Sequence, residues 1–422
     1  MEYKLKECLE KIIDNRGKTP QYFNYGIPLL EINSIANDVI YPNYKVVKKY
    51  ISQEVYENFR TGNPTKGDIL IGTVGTLGTI AMMDNVKASI AQNMIALRTI
   101  INIDSYWLYY YLRLHMKEIL NLDIGAVQPS IKVPHLLNFI IDVPELKIQK
   151  KISQILYNID QKIELNNQMN ESLYNVSQEI FKRWFIDFEF PNNEGLNYKS
   201  TNGQFKEVNG DIIPVDWQIK RLDEVAECQN GNAFYKDGYD ETGIMVVDLG
   251  NVNINGSFIY TNADKYISKE RLENNSKYNK YLLYKDDLVM VMTDRKATMD
   301  LLGKTGKIYE EKEYLLNQRM YRIRSKINVN YLYTVLNSRK TLNELKSKAL
   351  GSVQKYVNTE HINELKIIVG TDEIMERFSQ IVNPIFERIE NNILENNSLQ
   401  ELRDTLLPKL MNGKIDLNKI EI

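Results

Sequence analysis

Cysteine and histidine are scarce in this chain of 422 residues, which contains two cysteines and three histidines. Cys8 and Cys228 cannot form a disulfide framework or a zinc knuckle without help from elsewhere, so buried free thiols in a reducing compartment are expected. No cysteine or carboxylate lies at ligand spacing near His135, so it is expected to pack or cap rather than to bind a metal.

Long apolar segments and an excess of charge are also missing. No apolar run is long enough to span a bilayer, and the N-terminal segment MEYKLKECLE lacks the apolar core of a signal peptide, so a cytoplasmic location is expected. The formal net charge of -2 gives no overall basic surface, so any contact with DNA must come from local patches or from a partner.

Motifs that would mark an active site are not found either. The glycine-rich residues 72–81 lack the lysine and the spacing of a P-loop, and Gly303 in the tripeptide GKT is preceded five positions earlier by Thr298 instead of glycine. Turns between strands are the better interpretation of both stretches. There is no GxSxG motif, no paired zinc ligand set and no Asn-Pro-Pro-aromatic sequence. The sequence therefore predicts no catalytic residue and no metal ligand.

A long amphipathic segment is present at residues 146–185, where apolar residues recur at steps of four and three. A helix of this length would extend for about 60 Å and would need a partner along its length. Lys162 and Asn166 interrupt its apolar face, as polar residues do where they fix the register of a coiled coil. A long core helix within one globular domain is the alternative.

The chain also contains an internal duplication. The sequence GAVQPSIKVPHL at residues 125–136 recurs as GSVQKYVNTEHI at residues 351–362, so that Gln128 corresponds to Gln354, 226 residues later. The segment QNMIALR from Gln92 matches QRMYRIR from Gln318 at the same separation. The long segment is duplicated as well, and Asn166 corresponds to Asn392. The predicted apolar seam and its register-fixing asparagines are Ile152, Ile155, Ile159, Asn166 and Leu173 in the first copy, and Phe378, Ile381, Ile385, Asn392 and Leu399 in the second.

Each copy is predicted to be a mixed region of strands and short helices followed by a long helix, which is an α+β arrangement. The predicted divisions are a first mixed domain at 1–145, a first long helix at 146–190, an Asn- and Gly-rich linker at 191–211, a second mixed domain at 212–372, a second long helix at 373–412 and a tail at 413–422.

One loop differs in length between the copies. Lys66 and Gly75 are nine residues apart, whereas their counterparts Lys285 and Gly303 are 18 apart, and the additional residues lie around 293–299. A frame that is kept while one loop grows and gains polar groups favours a recognition surface, although neutral drift in a surface loop is the alternative.

Polar and aromatic side chains that could contact DNA cluster in equivalent loops of the two copies, where arginine can read guanine and asparagine or glutamine can read adenine. Each could also be an ordinary solvated surface group. The candidates are Arg16, Lys18, Asn33, Ser34, Thr73, Thr76, Gln128, Ser130 and Lys132 in the first copy, and Asn230, Asn232, Tyr235, Asn251, Arg295, Lys296, Arg319, Gln354, Lys355 and Tyr356 in the second. Lysines such as Lys45, Lys48 and Lys49 would rather hold phosphates.

The chain resembles the specificity subunits of type I restriction-modification systems. The resemblance rests on KGDILIGTVGTLG, on GAVQPSI and its counterpart GSVQKYV, on VPELKIQKKISQIL before the long helix, and on the terminal LRDTLLPKLMNGKIDL. It implies two target-recognition domains that each read one half of a bipartite DNA site, and two helices that pair as an antiparallel coiled coil. It also implies two methyltransferase subunits docked on that coiled coil, and a restriction and translocase subunit as a further partner.

No cofactor is expected on this chain. The resemblance implies S-adenosylmethionine on the methyltransferase subunits and ATP on the translocating nuclease subunit. Two other functions stay open from the sequence: a self-contained DNA modification or restriction enzyme, and a structural coiled-coil scaffold without affinity for DNA.

Overall fold

A computed structural model describes residues 1–417 except 18, 36–38, 76, 122–130, 193, 235–237, 260–264 and 297. The chain divides into two compact units. The first unit contains residues 1–166 and 395–422, and the second contains residues 167–394. Both boundaries fall inside the long helices, so each unit contains a part of each helix. The predicted division instead treated each long helix as a separate segment.

The first copy of the duplication contains nine named strands and four named helices among its described residues. These are β1 (Glu2–Lys4), β2 (Leu9–Ile13), β3 (Ile27–Leu30), β4 (Tyr50–Ile51), α1 (Gln53–Glu57), β5 (Ile69–Gly72), β6 (Ile80–Met82), β7 (Ser89–Ile90), β8 (Met94–Thr99), α2 (Ser105–Asn121), α3 (Val133–Leu137), β9 (Ile140–Asp142) and α4 (Leu146–Phe181).

The main sheet of the first unit has the strand order β2-β8-β5-β6, and all its neighbours are antiparallel. Both faces of β5 are buried: Ile69 and Ile71 pack in the same core as helix α2, whereas Leu70 packs in a second core with Leu30 of the small sheet β4-β3-β7. A strand that is covered on both sides has to be apolar throughout, which explains the unbroken sequence ILIG.

The second copy has the following elements: β10 (Phe205–Val208), β11 (Asp211–Pro214), β12 (Gln218–Arg221), α5 (Leu222–Val225), β13 (Ala226–Asn230), β14 (Ile244–Val247), β15 (Tyr266–Ile267), α6 (Lys269–Asn274), β16 (Leu282–Leu283), β17 (Leu288–Val291), β18 (Thr293–Asp294), β19 (Thr305–Lys307), β20 (Tyr314–Leu316), β21 (Met320–Ser325), α7 (Val329–Leu336), α8 (Arg339–Ser347), β22 (Lys355–Tyr356), α9 (Thr359–Asn363), β23 (Lys366–Val369) and α10 (Asp372–Met411).

The main sheet of the second unit repeats the topology of the first, with the order β13-β21-β17-β19. Even the register agrees. Leu70 of β5 is paired with Ala96 of β8, and Val289 of β17 is paired with Arg322, which lies 226 residues after Ala96. The small sheet is repeated as well, since β15-β14-β20 matches β4-β3-β7, and the second unit adds the strand β16 to it. The mixed helix-and-strand prediction and the duplication are thus confirmed.

The helices α4 and α10 run antiparallel within each unit. In the first unit, Asn166 contacts Asn396 while Asp160, earlier in α4, contacts Arg403, later in α10. In the second unit Asn392 contacts Asn170. The predicted antiparallel pairing is confirmed, and neither asparagine of the predicted seam contacts the other.

The seam itself differs from the prediction at Ile381, which is 44% exposed, while the adjacent Val382 is fully buried. Ile381 was assigned by its correspondence to Ile155, which is itself only half-buried. The buried stripe runs through neighbouring positions instead. Of the other predicted seam residues, Ile152, Ile159, Asn166, Phe378 and Asn392 are buried, and Leu173, Ile385 and Leu399 are half-buried.

The first long helix ends earlier than predicted. Its α-helical part stops at Phe181 and a π-helical turn, Lys182–Ile186, follows it. The left-handed backbone of Phe188, at a φ of 58°, then takes the chain out of the helical path. The segment predicted as a plain linker is folded: Phe190 stacks on both Tyr198 and Trp217 at ring-centre distances of 4.6 and 4.7 Å, and the hairpin β10-β11 follows.

Candidate nucleic-acid interface

The polar residues predicted in the second copy meet at one edge of its main sheet. Because the strands are antiparallel, the carboxyl ends of β13 and β17 lie beside the amino end of β21, where Asn230 pairs with Tyr321 and Val291 pairs with Met320. Side chains that follow β13 and β17, or precede β21, therefore share this edge.

The longer loop of the second copy is held at the same edge by a short ladder. Strand β18, at the beginning of the loop, pairs with β22, so that Thr293 is opposite Tyr356 and Asp294 is opposite Lys355. This ladder brings together two groups of predicted residues that are about 60 positions apart in sequence, Arg295 with Lys296 and Lys355 with Tyr356.

A buried carboxylate fixes the path of this loop. The carboxylate of Asp294, only 5% exposed, accepts hydrogen bonds of 2.8 Å from the backbone nitrogens of both Lys296 and Leu301. The side chains of Arg295 and Lys296 remain exposed on its outer surface. A pinned backbone presents these two cations at little further cost in conformational entropy on binding.

The cations of this edge differ from other basic residues in their ion pairing among the described residues. Within the described residues, no carboxylate forms an ion pair with Arg295, Lys296, Arg319 or Lys355. Elsewhere in the two units lysines are paired: Lys49 contacts Glu31 at 2.7 Å, and Lys265 contacts Asp248 at 2.6 Å. The edge thus concentrates positive charge that suits phosphate or guanine, and the predicted phosphate contact of Lys49 is weakened by its own ion pair.

The first unit builds its edge from the same main-chain hydrogen bonds. The backbone nitrogen of Thr73 donates to the carbonyl of Asn93 at 2.9 Å, and Ile131 donates to the carbonyl of Thr73 at 3.0 Å. In the second unit the corresponding bonds run from Met292 to Arg319 at 3.1 Å and from Val357 to Met292 at 3.0 Å. We call these two pairs of main-chain bonds the edge frame.

Arg16 follows β2 at the edge of the first unit. Asn232, which follows β13, occupies the equivalent position in the second unit. The guanidinium of Arg16 donates to the carboxylate of Asp14, with Nε to Oδ1 at 2.8 Å. Burial alone would raise the pKa of Asp14, but the hydrogen bonds and charge of Arg16 outweigh it and lower that pKa. The arginine is therefore held in one orientation, with about half of its side chain exposed.

Three of the predicted DNA-contacting residues have buried side chains in this conformation. Ser34 is 1% exposed and its hydroxyl donates to the carbonyl of Glu31, and Asn251, its counterpart, is 2% exposed and donates to the carbonyl of Ile259. Thr73 is 1% exposed within the edge frame. Polar side chains of this kind form hydrogen bonds to the main chain of their own loop. The sequence alone does not distinguish this role from contact with DNA.

The remaining predicted residues are distributed as follows. Asn33, Lys132, Asn230 and Tyr356 are exposed, and Asn230 exchanges hydrogen bonds with Thr359 at 3.0 and 3.3 Å. Asn232, Arg319, Gln354 and Lys355 are half-buried. Lys18, Thr76, Gln128, Ser130 and Tyr235 lie outside the described residues.

One residue of the first edge was missed. Asn93 precedes β8, and its buried Oδ1 has no hydrogen-bond partner within the described residues. The same is true of Thr73 Oγ1 in the first unit, and of Thr293 Oγ1 and Gln354 Nε2 in the second. Asn93 is the repeat counterpart of Arg319, so the duplicated segment QNMIALR contained the signal for it.

Potential metal ligands, cysteines and apolar helices are arranged as follows in the described part of the chain. No group of three or more histidine, cysteine or acidic residues that could hold a metal ion occurs there. Both cysteines are free, with Cys8 buried and Cys228 half-buried. Among the helices described, none combines the length and the apolar character needed to cross a bilayer.

A family model described as the type I restriction modification DNA specificity domain matches residues 1–175 and 214–402. The chain belongs to this specificity family. The two matched regions coincide with the two copies of the duplication, so each copy carries one specificity domain, and the resemblance seen in the sequence motifs is confirmed.

Named relatives of this specificity family are similar over most of the chain. A type I restriction enzyme MjaIX specificity subunit of Methanocaldococcus jannaschii is 26% identical over 421 residues, covering 96% of this chain and 91% of the relative. A HindI specificity subunit of Haemophilus influenzae is 25% identical over 338 residues, covering 68% of this chain and 71% of the relative.

Solved structures of similar proteins include a type I restriction-modification S subunit from M. genitalium. It has a TM-score of 0.47 and 15% identity, and the match covers 97% of this chain and 95% of that one. An HsdS subunit from Thermoanaerobacter tengcongensis has a TM-score of 0.33 and 13% identity, with coverage of 98% and 97%.

Proposed function

We propose that this chain is the sequence-reading subunit of a type I restriction-modification complex and that it recognises a bipartite DNA target. The observation that carries the proposal is the edge frame, present twice with the same main-chain hydrogen bonds and with different side chains around it. Two readers of one design but different surface chemistry fit two different half-sites. The chain works in the cytoplasm, where its DNA target is.

The edge of the second unit supports DNA as the ligand. Arg295, Lys296 and Lys355 come together on the β18-β22 ladder without internal ion pairs among the described residues, beside the phenol ring of Tyr356. Guanidinium and ammonium groups can bind phosphate oxygens, and arginine can also donate two hydrogen bonds to guanine in the major groove. The edge therefore offers both positioning and readout.

Two methyltransferase subunits are the partners that we assign to the helix pair. Val176 of α4 is 49% exposed and Leu402 of α10 is 46% exposed, and these two residues are separated by the repeat distance of 226 positions. Large apolar side chains exposed on otherwise polar helix surfaces favour protein contacts. Their equivalence fits two copies of one partner, each bound beside one half of the duplicated chain.

The chemistry is assigned to the partners. S-adenosylmethionine would be bound by the methyltransferase subunits, and ATP by a separate restriction and translocase subunit. The role of this chain is to hold those subunits over one DNA sequence. Its small net charge is compatible with this role if the partners share the phosphate contacts that make binding salt-dependent.

Sequencing of the methylated genome tests this function. A strain with the gene and its methyltransferase partner should show one methylated split motif, with two half-sites about one helical turn apart, and deletion of this gene alone should remove it. A motif that persists after deletion would contradict the proposal.

A second experiment separates the proposal from a self-contained enzyme. The purified chain is incubated with DNA and S-adenosylmethionine, with and without the methyltransferase subunits. Methylation is expected only with the partners present. Methylation by the chain alone would favour a modification enzyme, and failure of the chain to bind DNA in the assembled complex would favour a scaffold.

A further inference from the structure

The contacts between α4 and α10 contain one element that the duplication preserves and one that it does not. The preserved element is a pair of asparagines. Asn166 Nδ2 donates to Asn396 Oδ1 at 2.9 Å in the first unit, and Asn392 Nδ2 donates to Asn170 Oδ1 at 2.7 Å in the second. Each residue of one pair has its repeat counterpart in the other, in the same donor or acceptor role.

The element that is not preserved is a buried ionic network in the first unit. Arg403 Nη1 donates to Asp160 Oδ1 at 2.7 Å, and the hydroxyl of Tyr110, from helix α2, donates to Asp160 Oδ2 at 2.7 Å. The side chains of Arg403 and Asp160 are only 4% and 6% exposed. Arg403 also donates from Nε to the exposed Asp404 at 2.9 Å. Two opposite charges are thus buried against each other.

In the second unit the three counterparts are uncharged. Asp160 and Arg403 correspond to Phe386 and Ser177 at the repeat distance, and the equivalent helix caps at Asp104 and Asn328 align Tyr110 with Thr334. All three counterparts are fully or almost fully buried. Phe386 packs edge-on against Tyr333 at a ring-centre distance of 5.5 Å, and the hydroxyl of Ser177 donates to the carbonyl of Tyr174 in its own helix. The same place in the duplicated packing is ionic in one unit and uncharged in the other.

This difference matters because duplicated helices could also pair with copies of themselves. In the antiparallel register set by the asparagines, two copies of α4 would still match Asn166 with Asn170, and two copies of α10 would still match Asn392 with Asn396. The asparagines therefore fix alignment, but they do not distinguish one helix from the other.

The ionic network does distinguish them. Two copies of α4 would place Asp160 against Ser177, so the buried carboxylate would keep only its Tyr110 hydrogen bond. Two copies of α10 would place Arg403 against Phe386, so the buried guanidinium would keep only Asp404. Burying a charge whose opposite has been removed is strongly unfavourable, and both self-pairings do so.

We propose that the Tyr110–Asp160–Arg403 network is a pairing code that makes the two halves of this chain bind each other and reject a second copy of either half. Opposite charges meet only when α4 lies against α10. The network thereby keeps the two recognition domains of one chain together as unlike partners, because every like pairing is penalised.

The test uses the whole chain with a protease site inserted between Gly195 and Leu196. Gly195 is exposed in a turn, with a φ of 77° and open space around it. The purified chain is cleaved, unfolded in urea with both halves present and refolded, and native mass spectrometry then counts the pairs. For the natural sequence we expect only pairs of unlike halves.

The deciding variant gives the first site the residues of the second, as Y110T/D160F/R403S. In this variant both sites are uncharged, so nothing favours unlike halves. The fraction of pairs made of like halves is then expected to rise toward the random value of about one half. A matched control, D160R/R403D, reverses the charges but keeps them opposite, and it should again give only unlike pairs.

Three results would overturn the code. Like pairs in the natural chain would show that the network does not discriminate, and exclusively unlike pairs in Y110T/D160F/R403S would show that discrimination lies elsewhere. Complete failure of that variant to pair, while D160R/R403D pairs normally, would show that the charges are needed for pairing itself and not for the choice of partner.

Discussion

Asn166 of α4 donates through Nδ2 to two residues of α10, to Asn396 Oδ1 at 2.9 Å and to Glu395 Oε2 at 2.7 Å. Asn392, its repeat counterpart, bonds to Asn170. The two asparagines of the predicted seam therefore fix the register at two separate places, each through a partner one turn away from the position that sequence correspondence alone would pair. Amides buried between helices specify alignment because a shift by one turn would leave them unbonded.

Replacing both Asn166 and Asn392 by leucine should leave the helices folded and alter their alignment. The leucines add apolar area, but the facing amides lose their donors, at a cost of about 1–3 kcal/mol for each buried group. Circular dichroism should show unchanged helix content, while the methylated motif should show a changed or mixed distance between half-sites. An unchanged distance together with unchanged partner binding would contradict the register role.

The Thr293–Met299 loop should control one half of the target. In R295A/K296A we expect methylation to lose selectivity at one half-site and to keep it at the other, because the two edge frames belong to different units. If both side chains contact phosphate instead, the salt dependence of DNA binding should fall by about two contacts, uniformly over sequences.

The matched control for this loop is K277A, since Lys277 is also exposed in the second unit but follows α6 and takes no part in the hydrogen bonds of the edge frame. Its motif and salt dependence should equal those of the natural chain. A change at both half-sites in R295A/K296A would refute the modular arrangement of the two readers.

The exposed apolar residues of the long helices should each hold one methyltransferase subunit. A carboxylate at Val176 or at Leu402 would have to be desolvated against the partner, so V176D and L402D should each reduce the number of bound subunits from two to one. The double variant should bind none. Native mass spectrometry of the assembled complex measures this stoichiometry.

Leu165 provides the control for this docking surface. It is 54% exposed on the same helix as Val176, but its repeat counterpart is the polar Asn391. L165D should leave two subunits bound. If L165D behaved like V176D, the equivalence of Val176 and Leu402 would have no bearing on docking.

Both thiols should react slowly in the folded chain. Burial and, for Cys8, the neighbouring Glu7 carboxylate raise its pKa to about 11, and burial raises the pKa of Cys228 to about 11 as well. Only the thiolate attacks disulfide reagents, and at pH 8 it is about one part in a thousand at such a pKa. The reaction with Ellman's reagent should therefore accelerate as the pH rises toward 11, whereas the urea-unfolded chain should release two equivalents quickly at pH 8. Fast labelling of the native chain at pH 8 would contradict this.

Much of the fold could be predicted from the sequence because the duplication shows each strand and helix pattern twice. The helix ending at Met411 and the equivalence of QNMIALR with QRMYRIR were both visible as repeats, and the structure places them in matching elements. The repeat correspondence with Ile155 predicts Ile381 on the seam, and steps of three and four cannot distinguish it from the adjacent Val382, which is the buried residue.

The candidate site was less accessible to sequence. Ser34 and Asn251 have the composition of base-reading residues, yet both are used inside their own loops. Conversely, Arg295 and Lys355 are brought together only by the β18-β22 ladder. The Asp160–Arg403 pair joins residues 243 positions apart, and no local pattern marks such a contact.

The hydrogen bonds of the edge frame join main-chain groups, for example Thr73 to Asn93 and Met292 to Arg319. A peptide hydrogen bond is indifferent to the side chain that it carries, so residues around the frame can be exchanged by point mutation without loss of the fold. The fold can therefore be conserved while the DNA sequence that is recognised changes. Such a protein can acquire a new target in one lineage while remaining compatible with the same partner enzymes.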